Sequence, residues 1–281
     1  MSIRFFLVVL ALVASGHIKA YQINSIGDGL YRFVDDRHRS VFLVTDDGIV
    51  VTDPLNEDAA RWLKRELNER FDVPVRYVIY SHNHSDHIYG SEVFDDPGVV
   101  FISHELTRQD IVLTSAETVV PTLVFRDFID IEIGGKSIEL RYHGPNDGRG
   151  SISMLFPDHE AIFVVDWIVL GRMPWQKLWS YDIRGMMNST EDILSLNFNT
   201  FIGGHGDIGS KKDVERYMDY LNELHAAVVD GINDGKSLNE IKKDIDLPDY
   251  KGLEHYEEWL PLNVEGVYEH LMDRSGMGWR P

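Results

Sequence analysis

Short apolar, β-branched runs broken by turn residues dominate the first part of the chain. "GLYRFVDD", "SVFLVTDDG" and "GIVVTDP" predict three strands joined by tight turns. The period then changes: in "NEDAARWLKRELNER", Ala60, Leu63 and Leu67 recur at helical spacing and Asn56 stands where a cap is needed. "VRYVIYS" predicts the strand reached by that helical crossover, and "VVFISH" a further strand before a helix from Glu105. "LVFRDFIDIEIGGKSIELRYHG" predicts strands around the turn Gly134-Gly135, and "SISMLFPDHEAIFVVD" a hairpin turning at Pro157 to Glu160. From Lys211 the pattern is helical, through "KKDVERYMDYLNELHAAVVDGI", "SLNEIKKDI" and "LPLNVEGVYEHLMDR". Strands and helices alternate in two halves with a helical tail, an arrangement that two sheets covered by helices accommodates. Periodicity alone reaches as far as α/β or α+β.

The N-terminal end adds an expectation about location. Arg4, an apolar stretch from Phe5 to Ala14 and a small-residue region ending at Ala20 have the layout of a secretory signal. The stretch is shorter than the ~20 apolar residues of a membrane span. Residues 1–20 are therefore expected to be removed on export to the periplasm or the extracellular space. Residues 21–281 then form one large domain, for no repeat, low-complexity tract or long linker interrupts them. The chain has no cysteine, which excludes disulfides and thiolate metal sites and leaves nitrogen and oxygen as the only ligands. A formal net charge of −19 repels nucleic acid phosphates and anionic membrane surfaces. Neither is an expected partner.

The densest chemistry is "IYSHNHSDHIYG", where His82, His84, Asp86 and His87 follow a predicted strand. In an extended segment side chains repeat every second residue, so His82 and His84 lie on one side and can reach one ion. The turn that follows can send Asp86 and His87 towards a second.

H-x-H-x-D-H after a strand resembles the metallo-β-lactamase superfamily of metallohydrolases, and the likeness extends over nearly the whole of residues 21–281. It implies an α+β fold of the αββα sandwich type, with residues 211–281 as a mainly helical tail. "VTDDGIVVTDP" resembles the family's hairpin ending in an aspartate that holds a ligand or the metal loop, here Asp53. "FVVDWIV" resembles the segment with its bridging aspartate, here Asp166, and "FIGGHGDIG" the segment with its last histidine, here His205.

The departure lies at "YHGPNDGRGS", where the family usually has a histidine completing the first metal site. Aligning Gly144, Pro145 and Gly150 puts Asp147 in its place; His143 would have to reach around the turn. "PNDG" is also good turn chemistry in its own right, so Asp147, His143 or an open position remain alternatives. With Asp147 as ligand, two divalent ions and three carboxylates are brought to neutrality by one hydroxide. Such a centre acidifies water less than a cationic one. Carboxylate donors tilt preference towards Mn²⁺ or Fe²⁺, while the imidazoles keep Zn²⁺ first.

The resemblance implies an exported hydrolase whose metal-bound hydroxide attacks an ester, lactone, thioester or amide carbonyl, with Asp86 chiefly a ligand and secondarily a proton acceptor. No "GxSxG" competes as nucleophile. Activity on β-lactam rings is the alternative within the family, and a degenerate member that lost its first metal site and serves as a binding module is the alternative outside catalysis. Trp175, Trp179 and Tyr181 follow Asp166 closely and can wall a pocket, implying a small substrate with an apolar portion. Arg149 and Arg172 read as solvated surface residues, His38 and His159 as turn residues, His104 as a structural or capping residue, and His225, His255 and His270 as ordinary helical ones.

Overall fold

The computed structural model describes residues 21–179 and 181–275; the expected signal, residues 1–20, lies outside the described residues. Seven strands stand side by side in sequence order: β1 (Gln22–Gly27), β2 (Leu30–Asp35), β3 (His38–Thr45), β4 (Gly48–Thr52), β5 (Val75–Ile79), β6 (Val100–His104) and β7 (Leu123–Phe125). The first four are antiparallel, and β4 to β7 are parallel. Parallel neighbours need crossovers, and α1 (Glu57–Arg70), α2 (Ser85–Ile88) and α3 (Glu105–Thr114) lie in them. The second sheet has six strands: β8 (Phe128–Ile133), β9 (Lys136–Tyr142), β10 (Ile152–Phe156), β11 (Ala161–Val164), β12 (Thr200–Gly203) and β13 (Gly209–Ser210). Only β11 and β12 are parallel there, joined through α4 (Ile183–Ser195). After β13 come α5 (Lys211–Asn233), α6 (Leu238–Asp244) and α7 (Tyr256–Ser275). Among the described residues no helix is long and apolar enough to cross a membrane.

Three apolar layers make this an α+β sandwich of the αββα type. Leu43, Val50, Ile79 and Ile102 of the first sheet meet Leu140, Met154, Phe163 and Ile202 of the second. The opposite face of the first sheet, with Phe42, Val51 and Val78, packs on Ala60, Leu63 and Leu67 of α1. β4 is thus buried along its whole length while successive residues serve different layers, which is why "GIVVT" reads as continuous rather than alternating hydrophobicity. Asn56 caps α1, its Oδ1 accepting from the Ala59 N–H at 3.0 Å. Leu63 is fully buried, so Leu63→Ala costs about 2–5 kcal/mol.

The outer face of the second sheet, with Leu155, Ile162 and Val164, packs on Met186 and Ile193 of α4, Tyr220 and Leu224 of α5 and Val264 of α7. The C-terminal helices are therefore a layer of the fold, not an appendage. Helix α4 is an element that the predicted strand and helix runs leave out, although Ile183, Met186 and Ile193 recur at helical spacing. Its buried stripe is Ile183, Met186, Ser189, Thr190 and Ile193, and two of those five positions are hydroxyls. They are tolerated because Ser189 Oγ donates to the His143 carbonyl at 3.2 Å and Thr190 Oγ1 to the Met186 carbonyl at 2.7 Å.

Candidate metal centre

The parallel strands β4 and β5 of the first sheet and β11 and β12 of the second end on the same side of the sandwich. Loops at the carboxyl ends of parallel strands form the crevice in open α/β sheets, and here both sheets contribute. Asp53 follows β4, the His82–His87 loop follows β5, Asp166 follows β11 and His205 follows β12. Asp53 and Asp166 both leave their strands with left-handed backbone, φ 34° and 67°, a region that Asp tolerates better than most residues. His205 sits between two close backbone approaches: a Cβ on Gly204 would lie 2.5 Å from Val165 Cγ1, and one on Gly206, at φ 72°, 2.3 Å from the Leu170 carbonyl oxygen.

Asp166 is the hub. Its Oδ2 lies 3.1 Å from His82 Nε2 and 3.1 Å from His84 Nδ1, and the latter is 3.6 Å from Asp147 Oδ2. Its Oδ1 lies 3.1 Å from His205 Nε2 and 3.7 Å from His87 Nε2; those two nitrogens are 3.1 Å apart, and each is 3.7 Å from Asp86 Oδ2. Donors at about 2.0–2.1 Å in a tetrahedron stand about 3.3–3.4 Å from one another. Both groups have that spacing.

The buried donors have no other occupation. Both Asp147 oxygens, Asp166 Oδ1 and His82 Nε2 find no hydrogen-bond partner among the described residues. His82 Nε2 and Asp166 Oδ2 are close but outside hydrogen-bonding alignment, as lone pairs aimed at a common point would be. Orphaned polar atoms at this depth are costly. The donor set fits divalent metal ions held by nitrogen and oxygen.

The Nδ1 atoms of His205 and His82 are tied to the scaffold, which fixes those rings. His205 Nδ1 lies 2.8 Å from the Arg37 carbonyl, and His82 Nδ1 lies 2.8 Å from Ser81 Oγ. Ser81 Oγ donates to Asp53 Oδ2 at 2.6 Å and its N–H to Asp53 Oδ1 at 2.8 Å; His87 Nδ1 is 3.4 Å from the same carboxylate. Asp53 thus stands behind the histidine loop and braces it.

Electrostatics follow from crowding. Burial, and then the neighbouring Asp166, push the Asp147 carboxyl well above the usual range. Burial also opposes ionisation of Asp166, but the imidazoles of His87, His205, His82 and His84 outweigh it and hold this carboxyl well below that range. Burial disfavours charge on His84 and His87, yet Asp166 and its companions push both up to about 9. Burial lowers His82. The bare cluster carries protons where cations would sit.

The structure brings His82, His84, Asp86, His87, Asp147, Asp166 and His205 together. It separates His143 from them: its Nε2 is 2.8 Å from Ser153 Oγ and its Nδ1 3.6 Å from Asp192. Asp147 is therefore the residue of that turn that faces the cluster. Two sequence readings need correction. His38 is not merely a turn residue, since its Nε2 lies 3.2 Å from Asp86 Oδ2. Arg172 is not a solvated surface residue: it lines the cleft with an unpartnered Nε, near the Trp175 and Trp259 rings at 5.7 and 5.6 Å. Residue type alone carried no signal for either. Arg149 is exposed and paired with Asp110, and His104 caps α3, its Nδ1 accepting from the Leu106 N–H at 3.3 Å.

The cleft above the cluster encloses about 410 Å³ and is walled by Arg37, Arg172, Trp175, Trp179 and Tyr181. Its aromatic loop is held from behind by α7: Asn263 Nδ2 donates to the carbonyls of Pro174 and Gln176 at 3.1 and 2.7 Å, while its Oδ1 accepts from Tyr220.

A family model of the metallo-beta-lactamase superfamily matches residues 34–205. Among curated proteins the chain is 24% identical over 265 residues to the 2,4-dinitroanisole O-demethylase subunit alpha of Nocardioides sp. (strain JS1661), covering 89% of this chain and 78% of that one. It is 26% identical over 197 residues to the subunit beta of the same enzyme, covering 68% of this chain and 61% of that one. A solved metallo-beta-lactamase from Pontibacter korlensis superposes with a TM-score of 0.66 at 16% identity, over 72% of this chain and 99% of its own.

Proposed function

Because the chain belongs to the metallo-β-lactamase superfamily, we propose that it is an exported metal-dependent hydrolase holding two divalent cations, zinc first. His82, His84, Asp147 and one oxygen of Asp166 would take one ion; Asp86, His87, His205 and the other oxygen would take the second. The observation that carries this reading is the set of buried, unpartnered oxygens and nitrogen converging around Asp166. Such cations, when bound, supply a hydroxide nucleophile at neutral pH and an electrophile for the substrate oxygen.

The chain's own groups account for the rest. Asp53 and Ser81 keep the His82 and His87 rings oriented. Trp175, Trp179 and Tyr181 seat an apolar portion of a small substrate, and the Arg172 guanidinium, whose Nε has no hydrogen-bond partner among the described residues, faces its polar end. Asp86, with a side chain 45% exposed, can take up a proton at the cleft rim. The expected reaction is hydrolysis of an ester, lactone, thioester or amide, with β-lactams the weaker case. Export rests on the N-terminal sequence, and N-terminal sequencing of the mature protein tests it.

The curated relatives favour a second reading. They are named for O-demethylation of 2,4-dinitroanisole, and addition of water to an activated aryl methyl ether, releasing methanol and leaving the phenol, needs the same nucleophile. The aromatic wall suits such a ring. Elemental analysis with a chromogenic panel of esters, lactones, thioesters, amides, β-lactams and 2,4-dinitroanisole decides. Carbonyl turnover lost to chelator supports the first reading, and release of coloured dinitrophenol alone supports the second. At most one ion per chain, without turnover of any substrate, supports the alternative of a binding module that has lost its first metal site.

A further inference from the structure

One imidazole at the cluster has no part in the ligand set above. His38 opens β3 and pairs with Asp35 of β2 across the turn, so its position is fixed by the sheet. Its Nε2 approaches Asp86 at Oδ2, the oxygen that also faces His87 Nε2 and His205 Nε2. His38 therefore meets the oxygen of Asp86 that faces the other imidazoles. Its ring centre is 5.0 Å from that of His205 and 6.0 Å from that of His87. The donor atoms of His38, Asp86 and His205 lie within 4.8 Å of one another. The preceding carbonyl, of Arg37, holds His205 Nδ1, which ties the two histidines into one unit.

We propose that His38 is a fifth protein ligand of the second centre, beside Asp86, His87, His205 and Asp166. The inference rests on the metal-centre reading above, not on the substrate assigned to it. Five donors exceed a tetrahedron, so the preference for zinc holds at the first centre, while the second suits ions that accept five or six nitrogen and oxygen ligands, such as Mn²⁺, Fe²⁺ or Co²⁺. The first centre keeps four protein donors.

The test is a Co²⁺ titration of the full chain after chelator treatment, comparing wild type with His38→Ala and His38→Gln. Visible absorption per bound ion reports coordination, being weak for five ligands and stronger for four. Glutamine can still donate a hydrogen bond to Asp86 but is a poor ligand, so it separates ligation from positioning. Both variants are expected to show a stronger band at saturating cobalt, or to lose the second ion, with affinity falling about tenfold or more. An unchanged band in His38→Ala, or recovery of the wild-type band and affinity in His38→Gln, overturns the proposal while leaving the metal centre intact. A wild-type chain that binds no cobalt removes both.

Discussion

The donors gathered on one oxygen of Asp166 and those gathered on the other differ in composition and in the depth of the carboxylate each adds. On the first side, His82 and Asp147 have side chains only 1% exposed, and the Asp147 carboxylate touches no hydrogen-bond donor among the described residues. On the second side, Asp86 and His38 have side chains 45% and 31% exposed. The metallo-β-lactamase pattern usually has an imidazole where Asp147 stands, and here an additional imidazole, His38, borders the other group. A carboxylate has been placed where water cannot solvate it, and a histidine where water can. Charge on Asp147 must be balanced by a cation or a proton, whereas charge on Asp86 can be eased by solvent.

The largest effect should come from removing what the two sides share. Asp166→Ala is expected to lose both ions and to lower turnover by about 10³-fold or more. Elemental analysis beside kinetics checks this, and retention of two ions would end the description of Asp166 as the hub.

Asp147→Ala should break the symmetry selectively. The first ion should weaken beyond the about 10–100-fold typical of an outer-shell partner, while the second stays. Asp147→His should restore first-site binding, favour zinc over manganese and move the rising limb of the pH–rate profile to lower pH, because added positive charge favours the ionised nucleophile. Calorimetric metal titration of the two variants would expose an error if Asp147→Ala kept both affinities.

Asp53→Asn acts from behind the second side. It keeps the shape and removes the charge 3.4 Å from His87 Nδ1, so second-site affinity should fall about 10–100-fold with the fold retained. Equal weakening of both ions would show that the link through Ser81 to His82 carries as much of the brace as the contact with His87.

The smallest effect is on stability against pH. Folding raises His84 and His87 to about 9, from about 6.5 in an unfolded chain. Their contribution is therefore complete below about 6.5 and is lost as pH rises through about 9. Asp147, also raised, adds a fall in the same direction above its unfolded value. The melting temperature of metal-stripped protein should drop over this range, and metal affinity should climb as protons leave the imidazoles. Parallel slopes with and without metal would contradict it.

Much of the candidate cluster was legible in the chain because its densest part is local. His82, His84, Asp86 and His87 occupy six consecutive positions after a strand, and period-two geometry suffices to aim two of them together. The strand runs, the Gly134-Gly135 turn and the Asn56 cap of α1 are likewise written in neighbouring residues. Asp166 and His205 were found by likeness to a family, since nothing in "VVDW" or "GGHG" alone requires a metal.

Tertiary structure decided what depends on distant parts meeting. Whether Asp147 or His143 faced the cluster turned on which partners the surrounding elements offered, and Ser153 of β10 together with Asp192 of α4 took His143. His38 and Arg172 have unremarkable neighbours in sequence and reach the cleft only because strand ends from two sheets face each other. Helix α4 carries its own amphipathic stripe in the sequence, whereas the partners of its buried hydroxyls are visible only once it is packed. Sequence determined the local patterns, whose information lies within a few residues; the sandwich decided the convergence, because contacts between residues far apart in the chain exist only after the sheets pack.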